Sequence, residues 1–471
     1  MAEGLFLKSA NDLSRLIRSR VVSPVEVVKT HLDRIDQINP ALNAIVTIAP
    51  EALDRARELE RKVIEGGALG PLHGVPLTIK DTIATAGIRS TSGSRLLEQH
   101  KPVDDAPVVA RLVQAGAIVL GKTNTPEMAI PYETDNPVFG RTNNPHDLKR
   151  TPGGSSGGEA AAIAAHLSPA GIGSDLSGSI RVPAHFCGIT GLKPTTGRVP
   201  MNGHLPAATG PLSFGACIGP MARHVIDLAL LLSVIAGEPP VETTANEFVE
   251  RAWQRLKGVG VAYYFDDHVA PVTEETTSAV VAAAKILEDA GLHVREANPP
   301  AISDGSRLWI ELFSQAASAQ FRELYRGKRE KAGPQVASVL RQPPPDISFE
   351  ARIKAAEKLA KAVVERERRR EELLRWMKKT PLILAPVGSV PAFGHGAERV
   401  KVGGESISVF RAFSYSQTFN VFGLPAVSVP VGHSAEGLPI GVQIVGRPFE
   451  DEKVLAAAAI IEQSVAVQWR S

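Results

Sequence analysis

Between residues 74 and 237, short apolar segments alternate with helical ones. Residues 75–79 and 117–120 have the length and composition of buried strands, and residues 107–115 between them form a helical pattern that ends at Gly116. Such alternation is typical of a largely parallel sheet covered by helices. The sequence therefore predicts an α/β fold.

We expect a single domain over residues 1–471. Its parts are a catalytic core at 74–237, a variable helical and substrate-binding region at 238–380, and a C-terminal return to the sheet at 381–471. Within the middle region, the many proline and glycine residues predict irregular structure over residues 299–349.

One helix start is clearly marked near the N-terminus. Ser23, Pro24 and Glu26 combine an N-cap serine, a proline at the first helical position and a glutamate that can complete a capping box. We expect this helix to end before Asn39 and Pro40, because proline disfavours the helical conformation of the residue before it.

The charge balance and the cysteines bear on partners and location. The 52 basic and 50 acidic residues leave a net charge of +2, which gives no electrostatic reason to expect nucleic acid or an anionic membrane. Cys187 and Cys217 are too few for a disulfide framework. No segment has the pattern of a signal peptide or of a membrane span. We therefore expect a cytoplasmic protein without nucleic-acid or membrane partners.

Two glycine-rich segments and one lysine carry the candidate chemistry. Ser155 lies in the first segment, residues 151–158, and Ser179 lies in the second, residues 173–181. A helix after Ser155 followed by a strand running back would bring the two serines together. Lys80 ends an apolar strand, and burial there could lower its pKa from about 10.4 to about 7–8, so that it could act as a base. No histidine pattern suggests a metal site, and we expect neither a metal nor a cofactor.

These segments also carry a family resemblance. The motifs are Gly-Gly-Ser-Ser-Gly-Gly at 153–158, Asp-Leu-Ser-Gly-Ser-Ile-Arg-Val-Pro at 175–183, Cys-Gly-Ile-Thr-Gly-Leu-Lys-Pro-Thr at 187–195, Gly-Lys-Thr-Asn at 121–124, Phe-Asn-Val-Phe-Gly-Leu-Pro-Ala-Val at 419–427 and Gly-Leu-Pro-Ile-Gly-Val-Gln-Ile-Val at 437–445. Together with Lys80 in its apolar strand, they resemble the amidase signature family over nearly the whole chain. The resemblance implies a mixed, mostly parallel central sheet flanked by helices on both faces.

The resemblance also implies a Ser–cisSer–Lys triad. Ser179 would be the nucleophile, Ser155 the bridging serine after a cis peptide bond from Gly154, and Lys80 the base. The N–H groups of four residues would form the oxyanion hole: Leu176, Ser177, Gly178 and Ser179. Three further residues would support the site: Ser156, Asp175 and Arg181. A homodimer would be usual for this family.

The chain departs from the family pattern at Ser177, where relatives usually have glycine. A side chain there restricts the backbone angles, so the oxyanion hole could be altered or could gain a hydroxyl.

The implied activity is hydrolysis of carboxamides, with esters, anilides and carbamates (urethanes) as further substrates and an acyl-enzyme on Ser179. We expect a small-molecule substrate bound by an apolar pocket. Met128 and Tyr132 are candidate lining residues, together with residues 309–325 and 410–419.

Three alternatives stay open. An α/β-hydrolase-type esterase would use Ser156, since residues 154–158 fit G-x-S-x-G, although residues 141–152 before them look like a loop. A phosphate-binding loop at residues 188–195 fits poorly, because Pro194 separates the lysine from the threonine. The catalytic subunit of a glutamine-dependent tRNA amidotransferase would resemble this chain, but such subunits typically have glutamine where this chain has Val182.

Overall fold

The computed structural model describes residues 4–239, 241, 243–342 and 348–468. The strands are β1 (Ile45–Ile48), β2 (Pro76–Lys80), β3 (Ile118–Thr123), β4 (Ala170–Asp175), β5 (Thr190–Lys193), β6 (Cys217–Ala222), β7 (Gly260–Tyr263), β8 (His293–Glu296), β9 (Leu382–Pro386), β10 (Arg399–Val402), β11 (Glu405–Ser408), β12 (Ala426–His433) and β13 (Pro439–Val445). The helices are α1 (Ala10–Arg18), α2 (Pro24–Leu42), α3 (Ala52–Ile64), α4 (Pro107–Gln114), α5 (Gly157–Ala164), α6 (Arg181–Cys187), α7 (Val225–Ala236), α8 (Ala245–Leu256), α9 (Glu274–Asp289), α10 (Gly305–Trp309), α11 (Gln315–Leu324), α12 (Pro334–Arg341), α13 (Phe349–Met377), α14 (Val409–Ala412), α15 (Ser414–Val421) and α16 (Asp451–Gln468).

Eleven strands form one mixed sheet, in the order β1-β3-β2-β4-β6-β5-β12-β13-β9-β7-β8, and β10 pairs with β11 separately. Strand β2 runs parallel to both β3 and β4, and β7 runs parallel to both β8 and β9. Antiparallel pairs connect these two parallel groups through β6, β5, β12 and β13. The predicted mixed α/β sheet is confirmed.

Apolar side chains on both faces of the sheet are covered. In β9, Leu382 and Leu384 belong to an apolar cluster shared with helices α7, α9 and α16, whereas Ile383 and Ala385 belong to a second cluster shared with α13 and α15. Because successive side chains of a strand point to opposite faces, helices must lie on both sides of the sheet.

Two predictions about local structure are corrected. Helix α2 begins as predicted, with the Ser23 capping box, but it continues through Pro40 to Leu42. A proline in the last turn removes a single hydrogen bond, and the left-handed Asn43 then closes the helix with an N–H bond to the carbonyl of Asn39 at 2.7 Å.

The structure corrects the prediction of irregular structure over residues 299–349: much of this segment is helical. Helices α10 and α11 join through a π turn at Ile310–Ser314, and α12 follows; residues 343–347 of the predicted segment lie outside the described residues. Gly305 is the first residue of α10, and Pro334 is the first residue of α12, a position that proline fits well. The glycines and prolines of this segment therefore mark helix boundaries.

The fold brings the candidate chemistry to one edge of the sheet. Strands β2 and β4 are parallel neighbours, so their carboxyl ends, Lys80 and Asp175, lie at the same edge. Ligand sites of open α/β sheets form at such edges.

Candidate active site

Lys80 lies at the end of β2 and contacts two serines. Its Nζ is 2.6 Å from Ser155 Oγ and 3.0 Å from Ser174 Oγ, and all three side chains are buried. The peptide bond between Gly154 and Ser155 is cis. The structure thus brings together the lysine and the first of the two serines that the sequence singled out.

The surroundings of Lys80 favour its neutral form. Burial lowers the pKa of Lys80 to about 7, against the opposing attraction of the Asp175 and Glu159 carboxylates. Burial in turn raises the pKa of Glu159 to about 7, although Thr78 and Thr123 donate hydrogen bonds to it. A lysine with such a pKa is neutral often enough near pH 7 to accept a proton.

Ser179 lies in the turn between β4 and α6. Its carbonyl accepts a hydrogen bond from the N–H of Ser156 at 3.1 Å, which connects this turn to the segment that carries Ser155. Both Ser155 and Ser179 line the same cleft. Two of the three predicted triad residues therefore line this cleft, and the buried Lys80 contacts Ser155.

Three side chains hold the turn before Ser179 by hydrogen bonds to its backbone. Tyr132 donates its hydroxyl to the carbonyl of Ser177 at 2.8 Å, and Trp309 donates its indole N–H to the carbonyl of Leu176 at 2.9 Å. The N–H of Gly178 is donated to Asp175 Oδ1 at 2.8 Å. Within the described chain, the N–H groups of Leu176, Ser177 and Ser179 have no acceptor.

The left-handed position of this turn falls on Gly178, at φ 107°, and Ser177 is not among the residues with positive φ. A Cβ on Gly178 would also lie 2.7 Å from Ser416 Cβ. The serine that replaces the usual glycine at 177 therefore causes no backbone strain of this kind.

Asp175 and Arg181 form a fully buried ion pair beneath the turn. Arg181 Nε and Nη2 each lie 3.1 Å from a different Asp175 oxygen, and the guanidinium also reaches Gln443 Oε1 at 2.7 Å and Asn420 Oδ1 at 2.6 Å. Burial alone would raise the pKa of Asp175, but the charge and hydrogen bonds of Arg181 hold it below its usual range. The pair positions the turn, since Asp175 also accepts the N–H of Ile180 at 3.1 Å.

Ser156 contacts backbone and does not line the cleft. Its Oγ donates to the carbonyl of Ser174 at 3.2 Å and accepts the N–H of the same residue at 3.3 Å. The strand nearest before it in the chain, β3, ends at Thr123. Because an α/β-hydrolase needs a strand directly before its nucleophile, the structure contradicts that alternative.

The cleft is mostly apolar. Of the two candidate pocket residues, Met128 lines this cleft, whereas Tyr132 does not: its ring packs on Phe413 at a centroid distance of 4.5 Å. The other apolar lining residues are Ala129, Ile130, Leu176, Met201, Pro206, Ala207, Ala208, Leu212, Ala216, Cys217, Trp309, Ala317 and Phe321.

Two absences hold for the described residues. No group of three or more histidine, cysteine, aspartate or glutamate side chains is arranged to hold a metal ion. None of the helices in the described ranges combines the length and the apolar character needed to span a bilayer.

Known proteins share both the sequence pattern and the fold of this chain. A sequence profile described as Amidase matches residues 26–455. The chain belongs to the amidase signature family. The family resemblance and the family fold are thereby confirmed, and the protein is an enzyme of a hydrolase family.

Three relatives from this family match nearly the whole chain. The A subunit of the glutamyl-tRNA(Gln) amidotransferase of Carboxydothermus hydrogenoformans is 35% identical over 98% of this chain and 98% of its own length. A bacterial aryl acylamidase is 29% identical with a TM-score of 0.84, covering 97% of this chain and 96% of that one. The A subunit of the glutamyl-tRNA(Gln) amidotransferase of Thermotoga maritima is 29% identical with a TM-score of 0.78, covering 98% of this chain and 95% of that one.

These relatives overturn the prediction about partners. The sequence predicts a small-molecule amide, ester or carbamate as the substrate and no nucleic-acid partner. However, relatives that match this chain over nearly its whole length are named for a tRNA. The prediction rests on the near-zero net charge. Net charge reports on the whole surface of one chain, so it cannot exclude a role in a larger assembly.

Two polar residues at this site are not predicted from the sequence. Ser174 is 3.0 Å from Lys80 Nζ, and His204 Nε2 is 2.9 Å from Ser174 Oγ at the wall of the cleft. Ser174 could have been found from its place in β4, beside β2. No sequence signal places His204 there.

Proposed function

We propose that this chain hydrolyses carboxamide C–N bonds through an acyl-enzyme on Ser179. The observation that carries the proposal is the 2.6 Å contact between the buried Lys80 Nζ and Ser155 Oγ, at a cleft that Ser179 also lines. A buried amine next to a hydroxyl is a general base that needs no histidine.

The chemistry proceeds in two balanced stages. Ser179 Oγ attacks the carbonyl carbon while its proton passes to Ser155 Oγ, and the Ser155 proton passes to the neutral Lys80. When the C–N bond breaks, the proton returns through Ser155 to the leaving nitrogen, and the acyl group stays on Ser179. Water then attacks the ester, gives its proton to the same relay, and the relay returns that proton to Ser179 Oγ.

The oxyanion would be held by backbone N–H groups of the turn. We assign Leu176, Ser177 and Ser179, because the N–H of Gly178 is already donated to Asp175. Tyr132 and Trp309 hold the carbonyls of Ser177 and Leu176. Donors fixed in this way need no rearrangement when charge develops on the oxygen, and one such donor contributes about 2.7–4 kcal/mol.

Ser177→Gly should keep kcat within about fivefold of the wild type, because the Ser177 N–H does not depend on its side chain. Gly178→Ala is the matched control. Its Cβ would meet Ser416 Cβ at 2.7 Å, so we expect kcat to fall by about 10²-fold. Steady-state turnover of an aryl anilide measures both, and complete loss in Ser177→Gly would contradict the proposed turn.

The cleft favours an uncharged amide with an apolar group. Among its described lining residues, the charged or basic side chains are Asp175 and His204, and Asp175 is already paired with Arg181. A substrate carboxylate would find no lysine or arginine among these described lining residues. Apolar surface instead suits anilides, aryl esters and carbamates, in keeping with the similarity to an aryl acylamidase.

A second candidate is the catalytic subunit of a glutamine-dependent tRNA amidotransferase. The 35% identity to such a subunit over 98% of the chain favours it. The apolar cleft favours the first candidate. Val182 also favours it, because such subunits typically have glutamine at this position. Both use the same acyl-enzyme chemistry and differ in the amide and in the acceptor of its nitrogen.

Assays on the purified chain separate the two. Release of arylamine from anilides and carbamates by the isolated chain would support the first candidate. Ammonia release from glutamine that requires the partner subunits and tRNA of a glutamyl-tRNA(Gln) amidotransferase, without anilide turnover, would support the second. Ser179→Ala is the control in both assays.

A further inference from the structure

A hydrogen-bonded chain leads from Lys80 to a histidine that the proposed mechanism does not use. Lys80 Nζ contacts Ser174 Oγ at 3.0 Å, and Ser174 Oγ contacts His204 Nε2 at 2.9 Å. His204 Nδ1 lies 2.8 Å from the carbonyl oxygen of Pro206. Ser174 therefore touches the candidate base on one side and an imidazole on the other.

The tautomer of His204 follows from its partners. A carbonyl oxygen can only accept, so the Nδ1 that faces Pro206 carries the ring proton. Burial and the nearby Lys80 lower the pKa of His204 to about 4, although the bond to Pro206 opposes this, so the ring is neutral near pH 7. Nε2 is then an unprotonated acceptor.

This acceptor decides which way the Ser174 hydroxyl points. The hydroxyl has one proton, and His204 Nε2 can only accept it, so Ser174 offers its lone pairs to Lys80. A neutral amine has two N–H groups and one lone pair. With one N–H donated to Ser174, the lone pair is free to face Ser155, which lies 2.6 Å away.

The backbone around His204 is fixed to the strand end that carries Lys80. Residues 203–205 pair with residues 82–84: the Ala84 N–H donates to Gly203 O at 2.9 Å, and the Leu205 N–H donates to Thr82 O at 2.7 Å. The imidazole therefore has a set position relative to the base.

We propose that His204 is a positioning residue for the base: by accepting the proton of Ser174, it prevents that hydroxyl from donating to the Lys80 lone pair and so keeps the lone pair directed at Ser155. This inference rests on the proposed function, in which Lys80 is the base. Without His204, the Ser174 hydroxyl can turn and donate to the amine, which would block the base.

The test compares five proteins: wild type, His204→Leu, His204→Gln, Ser174→Ala and the double variant His204→Leu/Ser174→Ala. We expect His204→Leu to lower kcat by about 10- to 100-fold, a part of what a general base contributes. His204→Gln retains an acceptor oxygen and should restore most of the activity. The double variant lacks the blocking hydroxyl, so it should match Ser174→Ala and turn over faster than His204→Leu.

The pH profile gives a readout that a purely structural role would not move. A hydroxyl that donates to the neutral amine stabilises it and lowers the pKa of Lys80. In His204→Leu the acid limb of kcat/KM should therefore shift to lower pH while the plateau falls. The other ionisable groups near Lys80 are the same in all five proteins, namely Asp175 and Glu159, with Lys122 acting on Glu159.

The inference would be overturned if the fold-losses in kcat of the two single variants multiplied in the double variant. A folded His204→Leu with wild-type kcat would also overturn it. If His204→Leu does not fold by circular dichroism, His204→Phe, which keeps the ring volume without its nitrogens, replaces it in the same comparison. Turnover by Ser179→Ala would instead refute the proposed function. The inference alone fails if Ser179→Ala is inactive and the double variant is no faster than His204→Leu.

Discussion

Ser179→Ala should lower kcat for an aryl amide by at least about 10⁴-fold, because no acyl-enzyme can form without its hydroxyl. Turnover measures the loss directly. Intact-protein mass spectrometry of the wild type with a slow carbamate should show one acyl group per chain, and the variant should show none.

Ser156→Ala is the matched control for Ser179→Ala. Ser156 is buried and bonded to the backbone of Ser174, so its loss should cost about 1–3 kcal/mol of folding free energy and should leave most of kcat. An inactive Ser156→Ala beside an active Ser179→Ala would refute the proposed nucleophile.

Lys80→Met should lower kcat by about 10²- to 10⁴-fold, the usual contribution of a general base. In the wild type, kcat/KM should rise with pH through about 7, because the amine accepts a proton only when it is neutral and burial lowers the pKa of Lys80 to about 7. The measurement is kcat/KM across this pH range. We expect kcat/KM to fall at pH values below the pKa of Lys80, because the protonated amine cannot accept a proton.

Lys122 provides the control for a buried lysine outside the relay. Burial lowers the pKa of Lys122 to about 8, and its Nζ donates to Ile83 O and, at 2.8 Å, to Thr85 Oγ1. Lys122→Met should destabilise the fold by about 1–3 kcal/mol, because two buried oxygens, Ile83 O and Thr85 Oγ1, lose the hydrogen bond from the lysine. In Lys122→Met, the acid limb of the kcat/KM profile should stay near pH 7. A Lys80→Met variant as active as the wild type would rule out the lysine as base.

Local sequence patterns predict the position of Lys80, a candidate site residue that lies on a regular strand. Lys80 ends an apolar strand, and the alternation of strands and helices indicated that this strand lies in a sheet with its carboxyl end at a site. The assignment of Ser155 and Ser179 needed the family resemblance, because spacing alone permits their convergence without requiring it.

The remaining features depend on tertiary contacts that leave no mark in the local sequence. His204 reaches Ser174 because its loop pairs with residues 82–84. Met128 and Ala129 have left-handed φ angles, which break any regular periodicity between Met128 and Tyr132. The sequence spacing therefore does not tell which of these side chains face the cleft. Glycine and proline can also begin helices, as Gly305 and Pro334 do, so the composition of residues 299–342 does not distinguish helix boundaries from irregular structure.

The buried guanidinium of Arg181 joins segments that the ribosome makes far apart in time. Asp175 is translated before Arg181, whereas Asn420 and Gln443 follow much later in the chain. A nascent chain that ends before residue 443 leaves this cation without its full set of acceptors in an apolar interior, which is costly. The proposed hydrolytic activity should therefore arise only after residue 443 has been translated, so that shorter nascent chains carry no active nucleophile.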